Sequence, residues 1–230
     1  MPYEDAGRSL LCEFVGTLVL VTTGASTVIC GRLLFGSNTI AEHGLVALTG
    51  SLVVSLAILL FGSVSGAFLN PAVTLSQAVS GWMPRRLLLP YVGVQVAAAV
   101  ASGVFVRLVF GALGAPTEFG LPRLEEGTTV AVGIALEAGG TLIRCSSSLY
   151  SSFHLEKRPR AHAALVGIAL FVPTVLVGPL TGAAFNPAMS LGPAVASMDF
   201  GNQYVYLLGA ALGCAVAIMA FGTRRWKGRR

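Results

Sequence analysis

Two stretches decide how this chain reads: SGAFLNPAVTLSQAV at residues 65–79 and TGAAFNPAMSLGPAV at residues 181–195. Each holds an Asn-Pro-Ala tripeptide, Asn70-Pro71-Ala72 in the first and Asn186-Pro187-Ala188 in the second. Asparagine is favoured immediately before a helix, because its side-chain oxygen accepts from the first free backbone N–H groups. Proline is favoured at the first helical position, where no N–H bond is lost. Both tripeptides therefore read as helix starts. The helical stretches that follow, 71–80 and 187–196, have about ten residues each and rise ~15 Å. A bilayer's hydrocarbon is ~30 Å thick, so neither stretch crosses it.

The surroundings say that a bilayer is the right solvent. Of 230 residues, 54% are hydrophobic and 11% are charged, against about 25% charged in soluble domains. Mean hydropathy is +0.78. Such a chain cannot clothe a water-soluble globule, and disorder, a coiled coil and a large extramembrane enzyme domain are excluded. Six long apolar runs occur, at residues 10–29, 44–61, 88–110, 129–149, 162–180 and 204–221. The 28 glycines suit close helix–helix contact in lipid. The expected fold is an all-α membrane protein with six transmembrane helices and two re-entrant half-helices.

Basic residues set the orientation. Arg85, Arg86, Lys157, Arg158, Arg160 and the tail residues Arg224, Arg225, Lys227, Arg229 and Arg230 fall on the side of the N-terminus. The other side has Arg32, Arg107 and Arg123 against Glu42, Glu118, Glu125, Glu126 and Asp199. Both termini are therefore expected in the cytoplasm, at a plasma or inner membrane, and the +5 net charge is a topology signal. Nothing aromatic or folded accompanies the basic tail, so no nucleic-acid partner is expected.

The halves repeat. Glu13, Gly16, Thr17 and Leu18 match Glu137, Gly140, Thr141 and Leu142 as E-x-x-G-T-L, and the two opening stretches match in the same order. One domain over 1–230 follows, with repeat 1 at about 8–110, repeat 2 at about 128–222 and a basic tail at 223–230. Three spans per repeat is an odd number, so the second half is inverted, which puts a site of broken helices near the midplane. Residues 62–66 and 180–184 read as non-helical re-entrant runs. Such backbone survives at depth only when buried in protein or lining a wet cavity. Two helix N-termini meeting there carry about half a positive charge each, which repels cations while the Asn amides donate to neutral hydroxylic solutes. Glu13 and Glu137 lie within spans. They either transfer protons or accept bonds from the free N–H groups of the re-entrant runs.

On these motifs, and on the S-x-G-P-A at residues 190–194, the chain resembles the aquaporin, or major intrinsic protein, family from about Leu10 to Phe221. The resemblance implies passive conduction of water and small neutral solutes, a right-handed bundle, a homotetramer in membrane lipid with one pore per protomer, and no cofactor. It gives Glu13 and Glu137 the structural role. It also implies a four-residue selectivity filter, which spacing from the asparagines carries onto Gly50, Thr174, Ala183 and Met189. Water-selective members have an aromatic residue, histidine, a small residue and arginine there. Glycine widens the bore, and methionine removes a charge and up to five donors. That suits glycerol, urea, or boric, silicic or arsenous acid, and the missing arginine resembles a bacterial arsenical-permeable subgroup. Ser190 and Ala194 follow the water-channel pattern instead. Met189 faces either the lumen or neighbouring helices. A water-selective pore, an inverted-repeat secondary transporter and a structural protein with a closed pore are the competing readings. No nucleophile–base pair, phosphate loop or metal motif appears, so no enzyme is expected. Cys12, Cys30, Cys145 and Cys214 read as packing residues. Arg144 reads as a snorkelling end residue, Ser146 to Ser152 as a polar helix end, and Trp82, Tyr204 and Tyr206 as an interfacial belt.

Overall fold

The computed structural model describes residues 3–155 and 157–221; the basic tail expected at 223–230 lies outside them. Eight α-helices follow in order among the described residues: α1 (Ala6–Phe35), α2 (Ile40–Phe61), α3 (Pro71–Val79), α4 (Leu88–Gly114), α5 (Val130–His154), α6 (Pro159–Thr181), α7 (Pro187–Ser197) and α8 (Gln203–Phe221). Side chains that cap the free N–H groups start several of them. Asp5 accepts from the Arg8 N–H before α1, Thr39 from that of Glu42 in α2, and Thr129 from that of Val132 in α5. Asn70 and Asn186 do the same for α3 and α7, each with proline first in the helix. These two short helices have 9 and 11 residues, about half a bilayer in length.

Five of the six long helices are apolar enough by composition to cross a membrane. The sixth, α5, has 25 residues, long enough at ~1.5 Å each, but carries Glu137, Arg144 and several serines. Hydropathy averages over both faces of a helix, and α5 keeps its polar face inside. Arg144, Ser147, Ser148 and Ser151 are all buried. Arg144 therefore does not snorkel, and these serines are not a solvated helix end.

In each half the first and last long helices pack together, α1 with α4 and α5 with α8, while α2 and α6 pair across the molecule. The short helices cross over: α7 lies on α4 and α3 on α8. Glycines allow the close approaches. A Cβ on Gly213 of α8 would collide with the Ala138 carbonyl of α5, and one on Gly103 of α4 with the Gly192 carbonyl of α7. Large apolar side chains such as Leu56, Leu89, Leu108, Leu176 and Met219 point outward, as lipid contact requires.

Tyr3 and Phe221 pack against one cluster around Met83 and Tyr91, so both ends of the described chain lie at one face. At the opposite face Arg123 grips Glu118 and Asp199, tying the crossing between α4 and α5 to the end of α7. The Gly201 N–H and then Arg123 hold the Asp199 carboxyl below its ordinary range. A depressed carboxyl stabilises the fold above its unfolded pKa and loses that contribution as pH falls through the folded value. Protection factors of the Leu121, Arg123 and Leu124 amides, taken against the unstructured exchange rate at each pH, should thus hold at neutral pH and fall on acidification below about pH 4. Gly213→Leu should lower the unfolding midpoint in detergent by several degrees, since overpacking costs about 1–3 kcal/mol. Gly93→Ala, where an added Cβ meets nothing within 4 Å, should leave it unchanged or raised.

Candidate functional site

The chain stays wound as far as its bonds permit on the way into the membrane. After α2, the Gly62, Ser65 and Gly66 N–H groups still donate to Ile58, Phe61 and Gly62 carbonyls. On the other side α6 runs on through Thr181 despite Pro179, and the Gly182 N–H donates to Gly178. The expected 62–66 thus lies outside α2, as a hydrogen-bonded turn over 62–65 that opens into an irregular run at 66–69, whereas the expected 180–184 starts two residues early, because α6 continues through Thr181 and the irregular run is 182–185. Winding still bonds the Gly66 and Gly182 N–H groups within the chain, so the last three residues before each Asn are the ones that turn to other acceptors.

Those residues are strained in the same way. Gly66, Ala67 and Leu69 have φ of 91°, 50° and 53°, and Gly182, Ala183 and Phe185 have 81°, 49° and 48°. Each non-glycine residue in this region costs about 1–3 kcal/mol. A buried carboxylate in each half offsets that. Glu13 accepts from the Phe68 and Leu69 N–H groups at 2.9 and 2.8 Å, from Ser65 Oγ at 2.9 Å and from Gln95 Nε2 at 2.9 Å. Glu137 accepts from the Ala184 and Phe185 N–H groups at 3.1 and 2.8 Å and from Thr181 Oγ1 at 2.6 Å. Ser65 and Thr181 in turn accept from the Ala67 and Ala183 N–H groups. Tyr91 and Tyr206 donate to the Ser65 and Thr181 carbonyls at 3.0 and 2.9 Å. Tyr206 is thus a buried strut and not a belt residue, because its hydroxyl has a partner inside. The signal for it was present: each tyrosine follows its asparagine by twenty or twenty-one residues.

The asparagines meet where the runs end. Asn70 Oδ1 accepts from the Ala72 N–H and Asn186 Oδ1 from that of Ala188, at 2.8 and 2.9 Å. Asn70 Nδ2 donates across to the Phe185 carbonyl at 3.0 Å, and Asn186 Nδ2 to the Leu69 carbonyl at 2.9 Å. An amide NH2 has two donors, so these bonds commit one on each asparagine and leave one over.

The four filter positions lie on α2, α6, the second run and α7. A Cβ on Gly50 would meet only Leu170 Cδ2, at 3.9 Å, so the position is roomy. Thr174 is buried and its hydroxyl donates to the Leu170 carbonyl at 2.7 Å; its proton belongs to its own helix, and only its lone pairs remain to offer. Ala183 is buried next to Thr181. Met189 is half-buried, and its tip rests on α1, where Cε sits 2.5 Å from the place a Cβ of Gly24 would take.

Residues 3–221 match the family described as Major intrinsic protein. Aquaporin NIP6-1 of Arabidopsis thaliana is 33% identical over 220 residues, covering 94% of this chain and 68% of its own. Aquaporin NIP1-4 of Oryza sativa subsp. japonica is 31% identical over 230 residues, covering 97% and 79%. Among solved structures, the aquaglyceroporin from Plasmodium falciparum shares the fold with a TM-score of 0.80 at 19% identity, covering 94% of this chain and 96% of that one.

The carboxylate clamps make a testable contrast. An amide in place of Glu13 leaves two of its four donors without an acceptor, whereas Glu137→Gln orphans one. Each orphaned buried donor costs about 1–3 kcal/mol. Glu13→Gln should therefore lower the unfolding midpoint in detergent further than Glu137→Gln, and an unchanged midpoint in both would remove the clamp from the account.

Proposed function

The chain belongs to the major intrinsic protein family, and on that premise we propose that it is a passive channel for water and small uncharged solutes, with a bore wide enough for glycerol, urea or metalloid hydroxides such as arsenous, boric or silicic acid. The crossed asparagine pair carries this reading. Two helix N-termini face each other with their partial positive charges, and Asn70 and Asn186 each keep one N–H beyond the bond that anchors the amide. A neutral hydroxylic solute can accept from both, while a cation meets two repelling dipoles.

In this reading Gly50, Thr174, Ala183 and Met189 form the filter. The open space at Gly50 and the absence of a guanidinium at Met189 favour solutes larger than water. Glu13 and Glu137 are structural, since their oxygens already hold the backbone that turns into α3 and α7. The unit is a single channel domain over 1–230 that needs neither cofactor nor energy source, performs no catalytic step, and assembles as a homotetramer in a plasma or inner membrane. Both termini are cytoplasmic. Supporting this, Arg85, Arg86, Lys157, Arg158 and Arg160 at the terminal face are exposed, while Arg32 and Arg123 at the other face are neutralised by Glu42, Glu118 and Asp199.

Stopped-flow swelling of proteoliposomes with water, glycerol, urea and arsenous acid tests the proposal. Permeability above the lipid background, without saturation and with a low activation energy, is expected for at least one of the larger solutes. Met189→Arg should cut that permeability roughly tenfold, the effect of ~1.4 kcal/mol of added barrier, and spare water. Saturable flux points to a transporter, flux of water alone to a water-selective pore, and background rates throughout to a closed structural protein.

A further inference from the structure

Arg144 takes part in neither the carboxylate clamps nor the filter. It is 4% exposed, halfway along a membrane-crossing helix. Among the described residues its guanidinium has neither an ion-pair nor a hydrogen-bond partner. The other buried charges are all bonded: Glu13 and Glu137 as above, and Glu42 to Arg32 and the Asn38 N–H. A buried charge without a partner is strongly destabilising unless something solvates it. Ionisable side chains inside membrane segments face the bundle interior or a wet cavity.

Its neighbours along the helix show where it points. Residues 137, 140, 144 and 148 recur at helical spacing and form one stripe of α5. Glu137 holds the Ala184 and Phe185 N–H groups. Gly140 lies against the Phe185 ring, where any Cβ would collide. Ser148 accepts from Gln77 Nε2 of α3 at 2.9 Å. The stripe thus begins at the run before Asn186 and ends on the helix after Asn70. Arg144 sits between, about 6 Å past Gly140 towards the face that holds the termini. His162 of α6, half-buried, is within its electrostatic reach.

The repeat sharpens this. The E-x-x-G-T register relates Glu137 to Glu13 and Arg144 to Leu20. Leu20 belongs to the apolar cluster against which Met189 packs. Arg144 therefore holds, on the terminal side of the asparagines, the place that Leu20 holds beside the filter.

We propose that Arg144 is a specificity-determining residue whose guanidinium lines the solute path on the terminal side of the asparagine pair, excludes cations there, and presents donors to uncharged hydroxylic solutes. It supplies the fixed positive charge that Met189 lacks at the filter. Five N–H groups in a rigid fork suit a file of oxygen-bearing solutes and water, which solvate the charge that no carboxylate pairs.

The inference rests on the channel reading, and proteoliposomes separate the two. Glycerol-driven swelling reports the channel, and dissipation of imposed Na⁺ and pH gradients reports cation leak. Arg144→Leu and Arg144→Gln should raise the leak about tenfold, equivalent to ~1.4 kcal/mol of lost barrier, with glycerol flux still above background. Arg144→Lys should keep the leak low, and Met189→Arg added to Arg144→Leu should lower it again, which a purely structural arginine would not predict. An unchanged leak in both neutral variants that still pass glycerol overturns the inference; absence of glycerol flux in the wild-type protein overturns the channel reading instead. Independently of any variant, phenylglyoxal, which adds to water-accessible guanidinium groups, should label Arg144 in the intact protein. Labelling of Arg85 and Arg86 without Arg144 would place the side chain off the path and end the proposal.

Discussion

A backbone N–H without an acceptor costs several kcal/mol in hydrocarbon. Interrupting two helices halfway across a membrane exposes several such groups at once. Glu13 and Glu137 resolve this, each taking two adjacent N–H groups on its two carboxylate oxygens. The strained φ values before the asparagines, the direction in which the Leu69 and Phe185 carbonyls point, and the depth at which α3 and α7 begin all depend on that grip. Glu13 is then an acceptor with all of its roughly four sites in use and Glu137 one with three, and both are committed to holding backbone.

The frame obeys the internal repeat closely. Ser65 and Thr181, Tyr91 and Tyr206, and Gly16 beneath Leu69 and Gly140 beneath Phe185 are matched in position and in bonding. The departures are chemical. Gln95 gives Glu13 a fourth donor that Glu137 lacks. Val73 is fully buried where its counterpart Met189 is half-buried. Leu20 stands in the first half where the second half has Arg144. Duplication supplies the scaffold, and the residues that would meet a solute are the ones free to differ between its copies.

Much of this was legible in the chain. Asn-Pro-Ala announces a capped helix start by local chemistry alone, so α3 and α7 could be placed to within a residue or so. Long apolar runs give α1, α2, α4, α6 and α8 in the same way. What escaped depends on contacts between distant residues. The inward role of Tyr206 is legible only by matching its spacing from Asn186 to that of Tyr91 from Asn70, and the Thr181 carbonyl as its partner is not legible at all. Arg144 and the serines of α5 looked like a wet helix end, because a hydropathy sum cannot tell an inward polar face from an outward one. Gly62 marks the end of α2 correctly, but Pro179 suggests a break at 180 that backbone bonding postpones to Gly182. The filter positions follow from spacing, but the tilt of Met189 onto Gly24 and the inward commitment of the Thr174 proton do not.

The crossed amides also bear on how the molecule is made. Asn70 is anchored by the Phe185 carbonyl and Asn186 by that of Leu69, more than a hundred residues apart. During synthesis the first asparagine emerges long before its acceptor exists. The amino-terminal half can hold its own run through Glu13, but the Asn70 amide gains the Phe185 carbonyl, and the Leu69 carbonyl the Asn186 amide, only when the carboxy-terminal half arrives. The two crossed bonds thus form together or not at all, and completing the midplane is a step that neither half can take alone.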